Sequence, residues 1–177
     1  MKEYDEAVEL ARVLDEQRCR IVFAESCTAG LACATLAMVP GISKRLCGAF
    51  VTYRDSAKRE MLGVPERDLE TEGAVSVAVA RFMAEGALRR TPEARIAVSI
   101  TGHLGPEAPA ELDGLAFIGL ARRGDKSDLS DFDSDECFSE VVSVRCPEEA
   151  RRPIRQKFFA AATLRYVRTR LESGFLG

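Results

Sequence analysis

The sequence predicts an α/β fold, a mixed sheet with helices on both faces, and three observations carry that prediction. Apolar runs of strand length alternate along the chain with stretches of helical spacing. The run Ile21-Val22-Phe23-Ala24 passes through Glu25-Ser26-Cys27-Thr28-Ala29-Gly30 into the helical spacing of Leu31, Ala34, Leu36 and Ala37, which is a strand, a turn and a helix in succession. The 177 residues, 46% of them hydrophobic, are enough for one domain, residues 1–177, with a real core and no staples.

Each element has its own warrant. From Lys2 to about Glu16, Ala7, Val8, Ala11 and Leu14 share one face and charges share the other, so an amphipathic helix precedes the first strand. After the helix that follows Gly30, Val39-Pro40-Gly41 breaks the pattern, and Leu46 to Tyr53 reads as a second strand. Asp55 or Ser56 caps a short helix through Met61, Gly63-Val64-Pro65 ends it, and a turn of Glu and Arg residues follows. Ser76 is placed to cap a helix that carries Val79, Phe82, Met83 and Ala87 inward. Arg95 to Ile100 is a third strand, buried and β-branched, running into the loop Thr101-Gly102-His103-Leu104-Gly105-Pro106.

Leu115 to Ala121 and Glu140 to Arg145 are two more strands, joined by the acidic segment Gly124 to Asp135. Its Asp131-Phe132-Asp133-Ser134-Asp135 hints at a calcium loop but lacks the turn glycine and the closing glutamate, so a solvated hairpin tip is expected. From Pro147 to about Leu171 the chain is helical, with Ile154, Phe158, Ala161, Ala162 and Leu164 inward and Pro153 tolerated in the first turns.

Composition narrows the function. Six cysteines without a C-x-x-C pair, and a single histidine, supply neither a zinc site nor a redox motif, so no metal and no cofactor is expected. The thiols read as reduced and mostly buried, which suits a cytoplasmic protein. The amino terminus is charged from Lys2 onward and no apolar run approaches bilayer length, so neither export nor a membrane partner is expected. A net charge of -3 and a pI near 5.4 give no basic footprint for nucleic acid. The expected partner is a small molecule, with a symmetric homodimer as the expected assembly.

The turn after the first strand is where chemistry is expected. A helix start leaves backbone N–H groups without partners, and with the helix dipole these favour an anion or a developing oxyanion. Ser26 is placed to point its hydroxyl there; the alternative is that Ser26 or Thr28 merely caps the helix. A serine needs a base, and with histidine nearly absent the candidate is Lys58, since a desolvated lysine can accept a proton. Tyr53, at the end of the second strand, faces the same sheet edge and can orient the lysine or relay a proton. The tyrosine–lysine pair of short-chain dehydrogenases is excluded, because that pair is four apart on one helix and these residues are five apart. Cys27 is an alternative nucleophile, and His103 is either a surface residue or a substrate contact.

At these residues the sequence resembles a known family. Ala24-Glu25-Ser26-Cys27-Thr28-Ala29-Gly30, Val51-Thr52-Tyr53-Arg54-Asp55-Ser56-Ala57-Lys58, Leu62-Gly63-Val64-Pro65, Gly73-Ala74-Val75-Ser76 and Thr101-Gly102 followed by Gly105-Pro106 are similar to the successive motifs of the CinA C-terminal domain family, the nicotinamide-nucleotide amidohydrolases. Arg151 and Arg155 resemble the family pattern at the start of its last helix. The resemblance implies a three-layer α/β/α sandwich with a mixed, mostly parallel sheet. It further implies deamidation of nicotinamide mononucleotide to nicotinate mononucleotide and ammonia, a step of the pyridine nucleotide cycle, without a metal. Ser26 would be the nucleophile, Lys58 the base and Tyr53 a proton relay, with Thr28, Ala29, Gly30, Thr101, Gly102 and His103 around the substrate. The family's frequent amino-terminal pyrophosphatase-like domain has no expected counterpart in this length.

The sequence departs from the family around the substrate. Ala29-Gly30 stands where members usually have two glycines, His103-Leu104 where they have Ile-Ala, and Glu107 to Gly114 where they have a glycine-rich loop ending Pro-Val-Gly. A methyl at Ala29 narrows the approach to the backbone, and Glu107, Glu111 and Asp113 bring negative charge toward a phosphate site. Two alternatives therefore stand beside the deamidase: a hydrolase for another amide or nucleotide, and a catalytically idle ligand-binding domain of the same fold.

Overall fold

A computed structural model describes residues 2–124, 137–147 and 150–176. The acidic hairpin tip expected around Asp131 to Asp135 lies outside these residues. The elements run α1 (Lys2–Glu16), β1 (Ile21–Glu25), α2 (Leu31–Ala37), β2 (Leu46–Val51), α3 (Asp55–Leu62), α4 (Glu66–Thr71), α5 (Val77–Arg90), β3 (Ile96–Gly102), β4 (Leu115–Arg123), β5 (Cys137–Arg145) and α6 (Arg152–Glu172), with a 3-10 turn at Ile42–Lys44.

The five strands form one sheet in the order β2-β1-β3-β4-β5. β1 pairs in parallel with β2 and β3, β3 with β4 and β4 with β5 pair antiparallel, so only β4 runs against the other four. β1 is buried along its whole length because it is an interior strand covered on both faces. Its period of two divides the core: Ile21 and Phe23 join the side packed by α1, α2 and α6, whereas Val22 and Ala24 join the side packed by α5 and the end of α3. Burying each of Ile21, Val22 and Phe23 contributes about 1.5–3 kcal/mol, and the Ala24 methyl about 0.8 kcal/mol.

α5 lies close against the sheet at one point. A Cβ on Gly119 would stand 2.6 Å from the Ala80 carbonyl oxygen, and Ser99 Oγ donates to that same oxygen at 2.5 Å. Small residues thus set the helix-to-sheet distance on the face that also carries Lys58. On the other face α6 is fastened to α1 by Arg165 and Arg168, both paired with Glu6.

Several local expectations need correction. The Glu- and Arg-rich stretch after Pro65 is a helix, α4, not a turn; none of its residues is buried, so no apolar period marked it. α3 begins at Asp55 itself and carries no side-chain cap. α2 turns Ala32, Thr35 and Leu36 inward instead of Ala34 and Ala37, and α6 buries Phe159, Ala160, Leu164 and Val167 while leaving Ile154 exposed. Ser76 does cap α5, accepting from the Val79 N–H at 3.3 Å.

Candidate active site

The site is built where β1 ends. Glu25, fully buried, turns its carboxylate onto the first turn of α2 and accepts from the N–H groups of Gly30 (2.9 Å), Ala32 (3.2 Å) and Cys33 (2.7 Å). The anion site at that helix start is therefore filled by the chain's own carboxylate, and neither Ser26 nor Thr28 caps the helix. That corrects the expectation of an open helix N-terminus. The turn before it keeps two donors: among the described residues no acceptor takes the N–H of Cys27 or of Thr28. Ser26 is itself fixed by its backbone, its N–H donating to Ile100 O at 3.0 Å and its carbonyl accepting from Ala29 N at 3.1 Å. Ala29 (φ 53°) and Gly30 (φ 93°) both occupy the left-handed region, which costs the alanine about 1 kcal/mol.

Ser26, Tyr53, Lys58, Thr101, Gly102 and His103 line one cavity of about 230 Å³. Lys58 is 1% exposed, carried by α3 into the interior, and its Nζ donates to Asp55 Oδ1 (3.3 Å) and to the Tyr53 carbonyl (3.4 Å). No hydrogen bond joins Lys58 Nζ to Ser26 Oγ. Tyr53 is 54% exposed and stands at the rim, its phenol accepting from Arg152 Nη2 at 2.7 Å. Arg152 also donates through Nη1 to Gly105 O at 2.6 Å, so the first residue of α6 ties the end of β2 to the loop after β3.

The remaining wall is set by close contact. Thr101 Oγ1 donates to Ala74 O at 2.7 Å, which holds the segment before α5 against β3. Gly102 must be glycine, because a Cβ there would meet the Ala116 Cβ at 2.6 Å. His103 is held by its backbone, N–H to Leu115 O at 2.9 Å and carbonyl from Gly114 N at 3.0 Å, and it is on the lining. Thr28, Ala29 and Gly30 lie outside the lining; Thr28 instead receives Gln156 Nε2 on its carbonyl at 3.1 Å. The Cys27 thiol is pushed up to about 12 by burial, which holds it in the poorly nucleophilic protonated form.

The acidic loop does not crowd the cavity with negative charge. Asp113 forms a two-pronged pair with Arg155 (2.5 and 3.0 Å), and that hydrogen bond holds its carboxyl below the ordinary aspartate value. Arg145 grips the carbonyls of Asp113 and Glu111 at 2.8 Å each. Glu107 alone of the three acids is on the lining, where Asp55 and Glu107 stand against Lys58 and Arg152. Sequence reasoning missed Glu25, Asp55 and Arg152 as parts of the site. Glu25 carried a signal, a charge closing a wholly apolar strand; Arg152 carried none, since its partners are 99 and 47 residues away.

Residues 4–164 match the sequence model of the family described as the CinA C-terminal domain. A competence-damage inducible protein of Caldicellulosiruptor bescii is 44% identical over 113 residues, 63% of this chain and 27% of that protein. One from Listeria welshimeri is 37% identical over 150 residues, covering 82% of this chain and 33% of its own. The chain thus spans about a third or less of the length of these curated relatives. Among solved structures, the competence/damage inducible protein CihA of Agrobacterium tumefaciens superposes with a TM-score of 0.83 at 30% identity, covering 97% of this chain and 96% of that one. No helix among the described residues is long and apolar enough to cross a membrane.

Proposed function

The chain belongs to the family of CinA C-terminal domains, and on that premise we propose that it is a serine amidohydrolase that deamidates nicotinamide mononucleotide. The observation that carries this reading is the meeting of Ser26, Lys58 and Tyr53, from the ends of three different elements, on one cavity. Ser26 Oγ attacks the carboxamide carbon, Lys58 Nζ in its uncharged form takes the hydroxyl proton, and the N–H of Cys27, on the same lining, receives the oxyanion. The proton passes to the departing nitrogen with Tyr53 at the rim as relay. Ammonia leaves, and water cleaves the ester on Ser26 to release the carboxylate and regenerate the serine.

The cavity suits one ring and its amide, not a whole nucleotide, since pockets that enclose drug-sized ligands usually hold about 300–1,000 Å³. Ribose and phosphate then extend over the rim. The test is ammonia release from nicotinamide mononucleotide by the wild type, Ser26→Ala and Lys58→Ala: release abolished in both variants supports the reading, and equal release in all three removes Ser26 as nucleophile.

A second reading, binding without turnover, draws on one observation, the pairing of Lys58 with Asp55 in place of Ser26. It predicts no ammonia from the wild type together with saturable protection against unfolding by the nucleotide. The expected homodimer is part of the same proposal and is read by the mass in solution.

A further inference from the structure

We propose that Arg152 reads the phosphate of the substrate, as the specificity-determining residue of this site. This rests on the nucleotide reading above and adds to it the group that selects the anionic end. Four charged side chains line the cavity. Lys58 is paired with Asp55, so its charge is answered inside the site. Arg152 meets only neutral acceptors among the described residues, the Tyr53 phenol and the Gly105 carbonyl, at an exposed position on the rim.

Two other anion sites are taken. The helix start of α2 holds the Glu25 carboxylate, and Arg155, three residues further along α6, is engaged with Asp113 on both prongs. A guanidinium has five N–H donors, and the two contacts that fix Arg152 leave about three for a phosphate oxygen pair. The same contacts hold it at the Tyr53 phenol and the Gly105 carbonyl on the rim, so the group is pre-oriented before substrate arrives. Glu107, on the same lining, opposes an anion there and weakens the attraction without cancelling it.

The experiment measures binding in the Ser26→Ala protein, which removes turnover, with nicotinamide mononucleotide and with nicotinamide riboside, identical but for the phosphate. Ser26→Ala is expected to bind the mononucleotide roughly ten- to a hundred-fold more tightly than the riboside. Adding Arg152→Ala is expected to bring the mononucleotide down to the riboside's affinity while moving the riboside less than about twofold, and Arg152→Lys to keep part of the difference. Glu107→Gln is expected to tighten the mononucleotide alone. A preference that survives Arg152→Ala, an equal loss for both ligands, or no preference at the outset overturns the proposal. Ammonia release from the wild type is scored separately, so phosphate discrimination through Arg152 without turnover sinks the deamidase and spares this assignment, and turnover with undiminished discrimination in Arg152→Ala does the reverse.

Discussion

Glu25 and Ser26 are neighbours at the end of one strand, both buried, and their surroundings differ in a way that separates structure from chemistry. Glu25 has three N–H donors within 3.2 Å and closes the first turn of α2. Ser26 lines a cavity, and on the same lining Lys58 makes only two long contacts at 3.3 and 3.4 Å. A polar group whose partners are all supplied rigidifies a fold, whereas a cluster left short of partners in a cavity is held ready for a ligand. The sharpest-looking feature of the turn, an anion-binding helix start, is spent on stability, and the cavity lies on the less satisfied half beside it.

The largest effects fall on the open half. Ser26→Ala is expected to lower ammonia release by at least about 10³-fold, and Lys58→Ala by about 10²–10⁴-fold, measured at saturating substrate. Ser26→Ala should leave the urea midpoint unchanged, because its hydroxyl satisfies nothing else. The opposite pattern is expected next door. Glu25→Ala leaves three helix-start donors without an acceptor and should cost about 3 kcal/mol of stability in urea unfolding. Activity lost through Glu25→Ala with no loss of stability would erase the distinction between the two halves.

Smaller effects sharpen it. Thr101→Val removes the hydroxyl that holds Ala74 and should cost about 1 kcal/mol, read in the same unfolding assay. Ala29→Gly relieves a left-handed alanine but frees the unfolded chain, so it should move stability by less than about 1 kcal/mol. Cys27 gives the pH prediction. Its thiol is raised in the fold to about 12, so the stability it contributes is complete below the unfolded value near ~8.5 and is lost as pH rises from there toward 12. Comparing urea unfolding of the wild type with Cys27→Ala should therefore show the wild type losing ground only above about pH 8.5; a difference that grows toward acid would contradict the burial argument. Cys27→Ala should release ammonia as the wild type does.

Much of this architecture was legible in the sequence for local reasons. Ile21 to Glu25 and Arg95 to Ile100 are apolar runs of strand length, and Ser76 three residues before Val79 is a cap that the helix period confirms. α4 was not legible, because Glu66 to Thr71 form a helix that buries none of its side chains and shows no period. The helical spacing of α6 places Ile154 inward, yet it lies in the first turn and stays exposed. Ser26, Tyr53 and Lys58, proposed here as the reacting groups, are marked by motif order along the chain, and the fold brings them to one cavity. Asp55 was hidden in plain view as the partner three residues before Lys58, read as a cap when it is an ion-pair acceptor. Arg152 and the Asp113 to Arg155 pair depend on tertiary closure of α6 over the 103–114 loop, and no local pattern encodes that.

The proposed deamidation passes through an ester formed at one hydroxyl, and the most direct measurement is mass analysis of the protein quenched in acid during turnover of nicotinamide mononucleotide. The substrate's acyl group should be found on the peptide containing Ser26 and should be absent from Ser26→Ala. An adduct on Cys27, or undiminished ammonia release from Ser26→Ala with no adduct at residue 26 in the wild type, would contradict it.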